Sequence, residues 1–212
     1  MELTYKVNSS SNYINVRQVL KNEFNMSNRL ITKLKQNKYI FLNNEETFLD
    51  KQINLNDIIK CNLDFNEISE NIVATKMDLN ILYEDNCFLI VDKPHNMAVH
   101  PSILHYENSL SNGVQYYFNK INLNTKIRPV NRLDRDTTGI VIFAKNEYIQ
   151  ECLVKQMKSN KFYKEYIAIL EGIVEPKKGI INAASFRKPN SIIERCIDNK
   201  KRKYSYYQIW SN

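Results

Sequence analysis

The sequence predicts an α+β chain in two parts, a small N-terminal α/β module and a larger domain after it. Three observations lead there. Residues 12–63 alternate helical and strand-like patterns, residues 64–80 turn polar and lose periodicity, and a charged loop at 131–138 runs straight into Ile140–Ala144, an apolar β-branched segment of buried-strand type. At 212 residues the chain exceeds the common size of one domain. The expected boundaries are 12–63 for the module, 64–80 for a linker and 81–212 for the second domain.

Taken in order, the module opens with a short helix through Val16–Phe24. Ser27 then has the chemistry of an N-cap for a second helix, whose Leu30, Ile31 and Leu34 recur at helical spacing while Arg29, Lys33 and Lys35 project from the remaining surface. Tyr39–Leu42 reads as a strand, Asn43-Asn44 as a turn, and Leu55–Ile59 as a turn leading into a strand. In the second domain, Phe88–Val91 is strand-like and Asp92-Lys93-Pro94 ends it, since proline cannot continue a central ladder. Glu147–Ser159 carries Ile149, Leu153, Val154 and Met157 at helical spacing, a helix expected to pack on the sheet. Phe162–Ile169 alternates as a strand would, and Lys200–Lys203 is a basic run able to touch phosphate or to be a solvated turn.

Composition excludes several classes. A hydrophobic fraction of 43% with 25% charged residues is ordinary for a globular protein, and no apolar run approaches the roughly 18 residues of a membrane span. The N-terminus lacks signal-peptide character, so a cytoplasmic location is expected. Cys61, Cys87, Cys152 and Cys196 are far apart and form no C-x-x-C pair, which argues for reduced thiols and against zinc. His95, His100 and His105 have no helical ligand spacing and read as loop histidines, so no metal site is expected. A net charge of +7 fits a polyanionic partner as readily as it fits a merely basic surface.

The module's order of Ser-x-Arg helix, strand, turn and closing Asn-Asp turn resembles the S-four-like RNA-binding module. That family usually has glycine where this chain has Asn44 and Asn56, a mild change because asparagine tolerates positive φ. The resemblance implies RNA contacts by Arg29 and Lys33; without it, these are solvated lysine and arginine side chains on an ordinary helix.

The second domain resembles the RluA-type RNA pseudouridine synthases. Asp92, Lys93, Pro94, Val99, His100 and Pro101 match the D-K-P-x-G-x-x-V-H-P turn, with Asn96 in place of its glycine. Arg132, Leu133, Asp134, Thr137, Gly139, Ala144 and Lys145 match H-R-L-D-x-x-T-S-G and its following strand, with Asn131 for histidine and Thr138 for serine. Lys164, Tyr166 and Ala168 match K-x-Y-x-A. The resemblance implies a mixed, largely antiparallel central sheet, isomerisation of uridine to pseudouridine in structured RNA, and no cofactor. It makes Asp134 catalytic, has Arg132 fill the gap left by the flipped base, has Tyr166 stack on the uracil, and makes Lys164 a support. Ribosomal RNA is the implied substrate ahead of transfer RNA, with no membrane or small-molecule partner and a monomer as the favoured state. The family's R-x-H-Q-I-R motif, whose arginine pairs with the aspartate, does not occur, so a domain incomplete at its C-terminus is expected.

The chemistry fits the residues independently of the resemblance. Uridine isomerisation requires no redox change, phosphate transfer or metal; one carboxylate suffices, as nucleophile or as base, provided the base leaves its stack. Asp134 and Asp136 lie two residues apart, which keeps a paired-carboxylate glycosidase in view, although Arg132 and Arg135 make ion pairing the ordinary role for Asp136. A non-catalytic RNA-binding remnant is the rival from another class.

Overall fold

The computed structural model describes every residue except Ile68, Glu70, 103–105, Asn160, Asn190, 192–193, 198–204 and 211–212. His105 and the basic run 200–203 therefore lie outside the described residues. The chain forms two compact units, Met1–Tyr163 and Lys164–Asn212. Every strand pair described is antiparallel, and the fold is α+β.

In the first unit, β1 (Glu2–Lys6) precedes α1 (Val16–Gln18), which continues as a π-helical turn through Val19–Glu23. Then follow α2 (Asn28–Gln36), β2 (Ile40–Leu42), β3 (Glu45–Glu46) and β4 (Ile58–Asn62), and the four strands form one sheet in the order β1-β4-β2-β3. Ser27 does cap α2: its hydroxyl accepts the Leu30 N–H at 3.1 Å. Leu30, Ile31 and Leu34 are buried against Val19, Leu20, Ile40 and Ile59 in one core. The asparagine turns hold positive φ at Asn43 (53°), Asn44 (70°) and Asn56 (73°), as their glycine-like positions require. Strand β1 lies outside the expected module, yet pairs with β4 over its whole length.

The stretch 64–80 takes no helix or strand among its described residues until β5 (Asn80–Glu84) begins, but several of its groups make contacts with the rest of the unit. The Thr75 N–H donates to the Asn112 carbonyl, the Ser69 hydroxyl accepts from Ile127, and Phe65 stacks obliquely on Tyr39.

A second sheet, β5-β6-β7, is built on β6 (Phe88–Lys93), with β7 (Gly139–Ala144) antiparallel beside it. Val141, Phe143 and Ala144 are buried, whereas Ile140, at the strand's start, is 56% exposed. Between them runs α3 (Leu110–Lys120), which sequence periodicity did not disclose; Leu110, Val114 and Phe118 join Leu89, Val91, Val141 and Phe143 in the core of this sheet. Gly113 admits the 64–80 stretch, because a Cβ there would lie 2.5 Å from the Met77 side chain. Helix α4 (Glu147–Lys158) packs Ile149, Leu153 and Met157 on Ile142 and Ala144, as expected, and Tyr148 on the core of the N-terminal sheet.

The strand expected over Phe162–Ile169 does not form. Residues 161–170 carry no helix or strand, and Tyr163, Ile167 and Ile169 are 89 to 100% exposed. Alternation marks a strand only when a neighbour supplies the other half of its hydrogen bonds. Among the described residues, the second unit pairs β8 (Lys178–Ala183) with β11 (Ser205–Trp210), and β9 (Ser185–Arg187) with β10 (Arg195–Ile197) as a hairpin. No described helix is long and apolar enough to cross a membrane.

Candidate active site and flanking groove

Two loops meet because of strand register. Strands β6 and β7 pair antiparallel with Lys93 opposite Gly139 and Asp92 opposite Ile140, so the loop leaving β6 and the loop entering β7 emerge at the same end of the sheet. The first carries Asp92-Lys93-Pro94, the second Arg132 to Thr138.

Lys93 fastens them. Its side chain is fully buried, and its ammonium donates to the carbonyls of Pro94 (2.8 Å), Met97 (2.8 Å) and Arg135 (2.9 Å). The Met97 N–H also donates to the Arg135 carbonyl, at 3.1 Å. Burial lowers the Lys93 pKa from its ordinary value, while the charges of Asp136 and Asp134 oppose that shift. Asn96 completes the first loop at a φ of 57°, where the synthase motif has glycine.

Asn131 fastens the second loop from the other side. Its amide donates to the Ile140 carbonyl at 2.8 Å and its side-chain oxygen accepts the Ile142 N–H at 2.9 Å, so one side chain stands in for a strand along β7. Just before it, Val130 and Arg128 continue that ladder through backbone bonds to Ile142 and Ala144. Leu133 is buried in the sheet core, which turns its neighbours Arg132 and Asp134 outward; both are exposed. Asp134 has no cation within ion-pairing distance among the described residues, and its carbonyl accepts the Thr137 N–H. Asp136 pairs with Arg135 at 3.6 Å, the role expected for it.

Alongside lies a groove of about 740 Å³ whose lining includes Arg29 and Lys33 of α2, Glu67, His100, Lys126, Arg128 and Glu147. Lys33 is held there by two carboxylates, Glu67 at 2.6 Å and Glu147 at 3.0 Å, and lies 4.1 Å from the centre of the Phe65 ring. Arg128 reaches Glu67 from the opposite side at 2.6 Å. Burial would raise the Glu67 pKa, but the Lys33 hydrogen bond and the Arg128 charge hold it below the usual carboxylate range. Arg29, by contrast, is 87% exposed and only 3.5 Å from Glu147 at its closest. At the groove, partial desolvation and then the Arg132 charge lower the His100 pKa, which ties His100 electrostatically to the second loop.

Of the residues singled out from sequence, Arg29 and Lys33 line the groove and Arg132 and Asp134 lie on the second loop, all in the first unit, whereas Lys164 and Tyr166 belong to the second, where both are exposed. Sequence reasoning missed the positions of Lys93 and Asn131 as fasteners. The signal was present in the motifs, since a lysine ending a buried strand needs acceptors and an asparagine beside a strand can supply ladder groups. No cluster of three or more potential metal ligands occurs among the described residues.

A family profile described as RNA pseudouridylate synthase matches residues 87–212, which takes in both loops. The chain belongs to this family. Over 133 residues it is 40% identical to the ribosomal large subunit pseudouridine synthase D of Blochmanniella floridana, covering 62% of this chain and 39% of that protein. It is 28% identical over 193 residues to the uncharacterised RNA pseudouridine synthase YjbO of Bacillus subtilis, covering 90% and 68% respectively. The solved structure of human RNA pseudouridylate synthase domain containing 1 aligns with a TM-score of 0.48 at 21% identity, over 62% of this chain and 50% of that one. The pseudouridylate synthase match thus spans about two fifths of the first relative's length and about two thirds of the second's.

Proposed function

We propose that this chain isomerises specific uridines to pseudouridine in structured RNA, with ribosomal RNA as the substrate. The observation that carries the reading is the Lys93 junction, which places the exposed Asp134 on a fixed loop beside the Asp92-Lys93-Pro94 turn, both within the family match. In the reaction the bond from uracil N1 to the ribose anomeric carbon breaks, the ring turns, and its C5 joins that carbon. The C5 proton is lost and N1 gains one, so nothing is added or removed overall. Asp134 acts at the ribose, as nucleophile or as base, and Arg132 occupies the gap in the stack with its planar guanidinium. Tyr166 stacks on the turned-out uracil with Lys164 in support, and the N-terminal module, read as S-four-like, adds RNA contacts. The names of the relatives support ribosomal RNA over transfer RNA.

The test is chemical mapping of pseudouridine in total RNA from cells lacking the gene, complemented with the 212-residue chain or with Asp134→Asn. The expected result is a pseudouridine restored by the first and absent with the second. Restoration by both would remove Asp134 from catalysis. Failure of both, with RNA binding retained, would leave an RNA-binding protein, and release of free uracil would point to a glycosidase.

A further inference from the structure

The groove beside the site holds two kinds of cation. Arg29, Lys33, Lys126 and Arg128 line it against only two carboxylates, Glu67 and Glu147. The carboxylates are not shared evenly. Glu67 is held at 2.6 Å by Lys33 and at 2.6 Å by Arg128, and Glu147 takes Lys33 at 3.0 Å. The side chains of Lys33, Arg128, Glu67 and Glu147 are all mostly covered, from 8 to 26% exposed, so their charges are spent on one another as a wall. Lys126 is exposed with no carboxylate in reach among the described residues, and Arg29 projects into solvent with one long contact. The surplus positive charge of the groove therefore resides on Arg29 and Lys126.

Position adds to charge. Lys126 and Arg128 lead through Pro129, Val130 and Asn131 directly to Arg132 and Asp134. Asp134 is six residues on from Arg128, no more than about 20 Å away even if fully extended. His100, on the groove lining, feels the Arg132 charge. An anion seated on Lys126 therefore lies within a short chain span of the loop that carries the exposed carboxylate.

We propose that this groove seats the RNA backbone leading to the target uridine, with Arg29 and Lys126 contacting phosphates, while Lys33 and Arg128 hold the wall and touch no RNA. The inference rests on RNA being the substrate, and it divides the α2 cations into one that binds and one that positions. Phosphate contacts of this kind fix where a nucleic acid lies without reading its sequence.

The test is titration of a labelled RNA stem-loop with the full chain at several salt concentrations, in wild type and in Arg29→Gln, Lys126→Gln, Lys33→Gln and Lys21→Gln. The same set is repeated in an Asp134→Asn background, so that binding is read without turnover. Arg29→Gln and Lys126→Gln are each expected to lower the slope of log affinity against log salt by about 0.7–0.9, one phosphate contact apiece. Lys21→Gln, outside the groove, keeps the wild-type slope. Lys33→Gln keeps it as well but melts at a lower temperature. Wild-type slopes for Arg29→Gln and Lys126→Gln overturn the proposal and indicate an acidic partner other than RNA, and an equal loss with Lys21→Gln overturns it as a general charge effect. If pseudouridine forms while these slopes stay unchanged, the groove proposal alone fails. If pseudouridine never forms, the catalytic reading fails whatever the slopes.

Discussion

Lys93 and Lys33 are both withdrawn from solvent, and they are satisfied in opposite ways. Lys93 sits among three backbone carbonyls, Lys33 between two carboxylates. Carbonyls satisfy the hydrogen-bonding needs of an ammonium and leave its charge standing; carboxylates cancel the charge as well. The loop junction at Lys93 therefore retains a positive centre close to Asp134 and Asp136, while the wall at Lys33 is close to neutral. The same residue type, judged from sequence as basic surface in one case and motif in the other, does structural work in both. What differs is the field it leaves behind.

Removing Lys93 should break the comparison most severely. Lys93→Met leaves the Pro94, Met97 and Arg135 carbonyls without their buried donor, a loss of about 3 kcal/mol or more. Thermal melting of the first unit should fall by on the order of 6–12 °C, and pseudouridine formation should be abolished because the two loops part. A melt unchanged from wild type would show that the junction contributes nothing.

The wall should respond less, and with a pH signature. Glu67→Gln unpairs Arg128 and weakens the hold on Lys33, at a cost of about 2 kcal/mol. Because the folded pKa of Glu67 lies below its unfolded value, near 4.3, its stabilisation is fully present above that value. It is lost as pH falls through the lower folded value. Denaturant melts from neutral to acid pH should therefore show wild type losing its advantage over Glu67→Gln on the acid side, and a constant difference would contradict the ion-paired wall.

The smallest effect belongs to Asn131→Ala, which removes one donor and one acceptor along β7 for about 1–2 kcal/mol. Here activity should fall further than stability, since the freed segment carries Arg132 and Asp134. Measured turnover that merely tracks the melting temperature would reduce Asn131 to a packing role.

Much of this was legible in the residues. Ser27 announced the start of α2, the paired asparagines announced their turns, and the apolar run after the charged loop announced β7, because each signal is local. Helix α3 escaped notice because Ser111, Asn112, Gly113 and Asn119 dilute its apolar stripe, and its stability comes from Leu110, Val114 and Phe118 packing on a sheet distant in sequence. The two-residue β3 and the half-exposed β1 exist only through their partners in the sheet. Of the candidate site, the motifs pointed to the loop of Asp134 and Arg132, but nothing local could show that Glu67, in a stretch read as linker, would claim Lys33. Ion pairs between residues 34 positions apart are a product of the fold. The 162–169 segment erred the other way, with a good local pattern and no partner strand among the described residues.

The asparagines at positive φ have one further consequence. The chain has 4 glycines in all, and asparagine takes the left-handed conformation at positions 25, 43, 44, 56, 96 and 122. Each such residue bears some strain when folded, but its side chain also narrows the conformations open to the unfolded chain, where glycine would roam widely. The turns that shape both loops and module are thus stabilised partly by what they deny the denatured state, a contribution that no contact in the folded protein records.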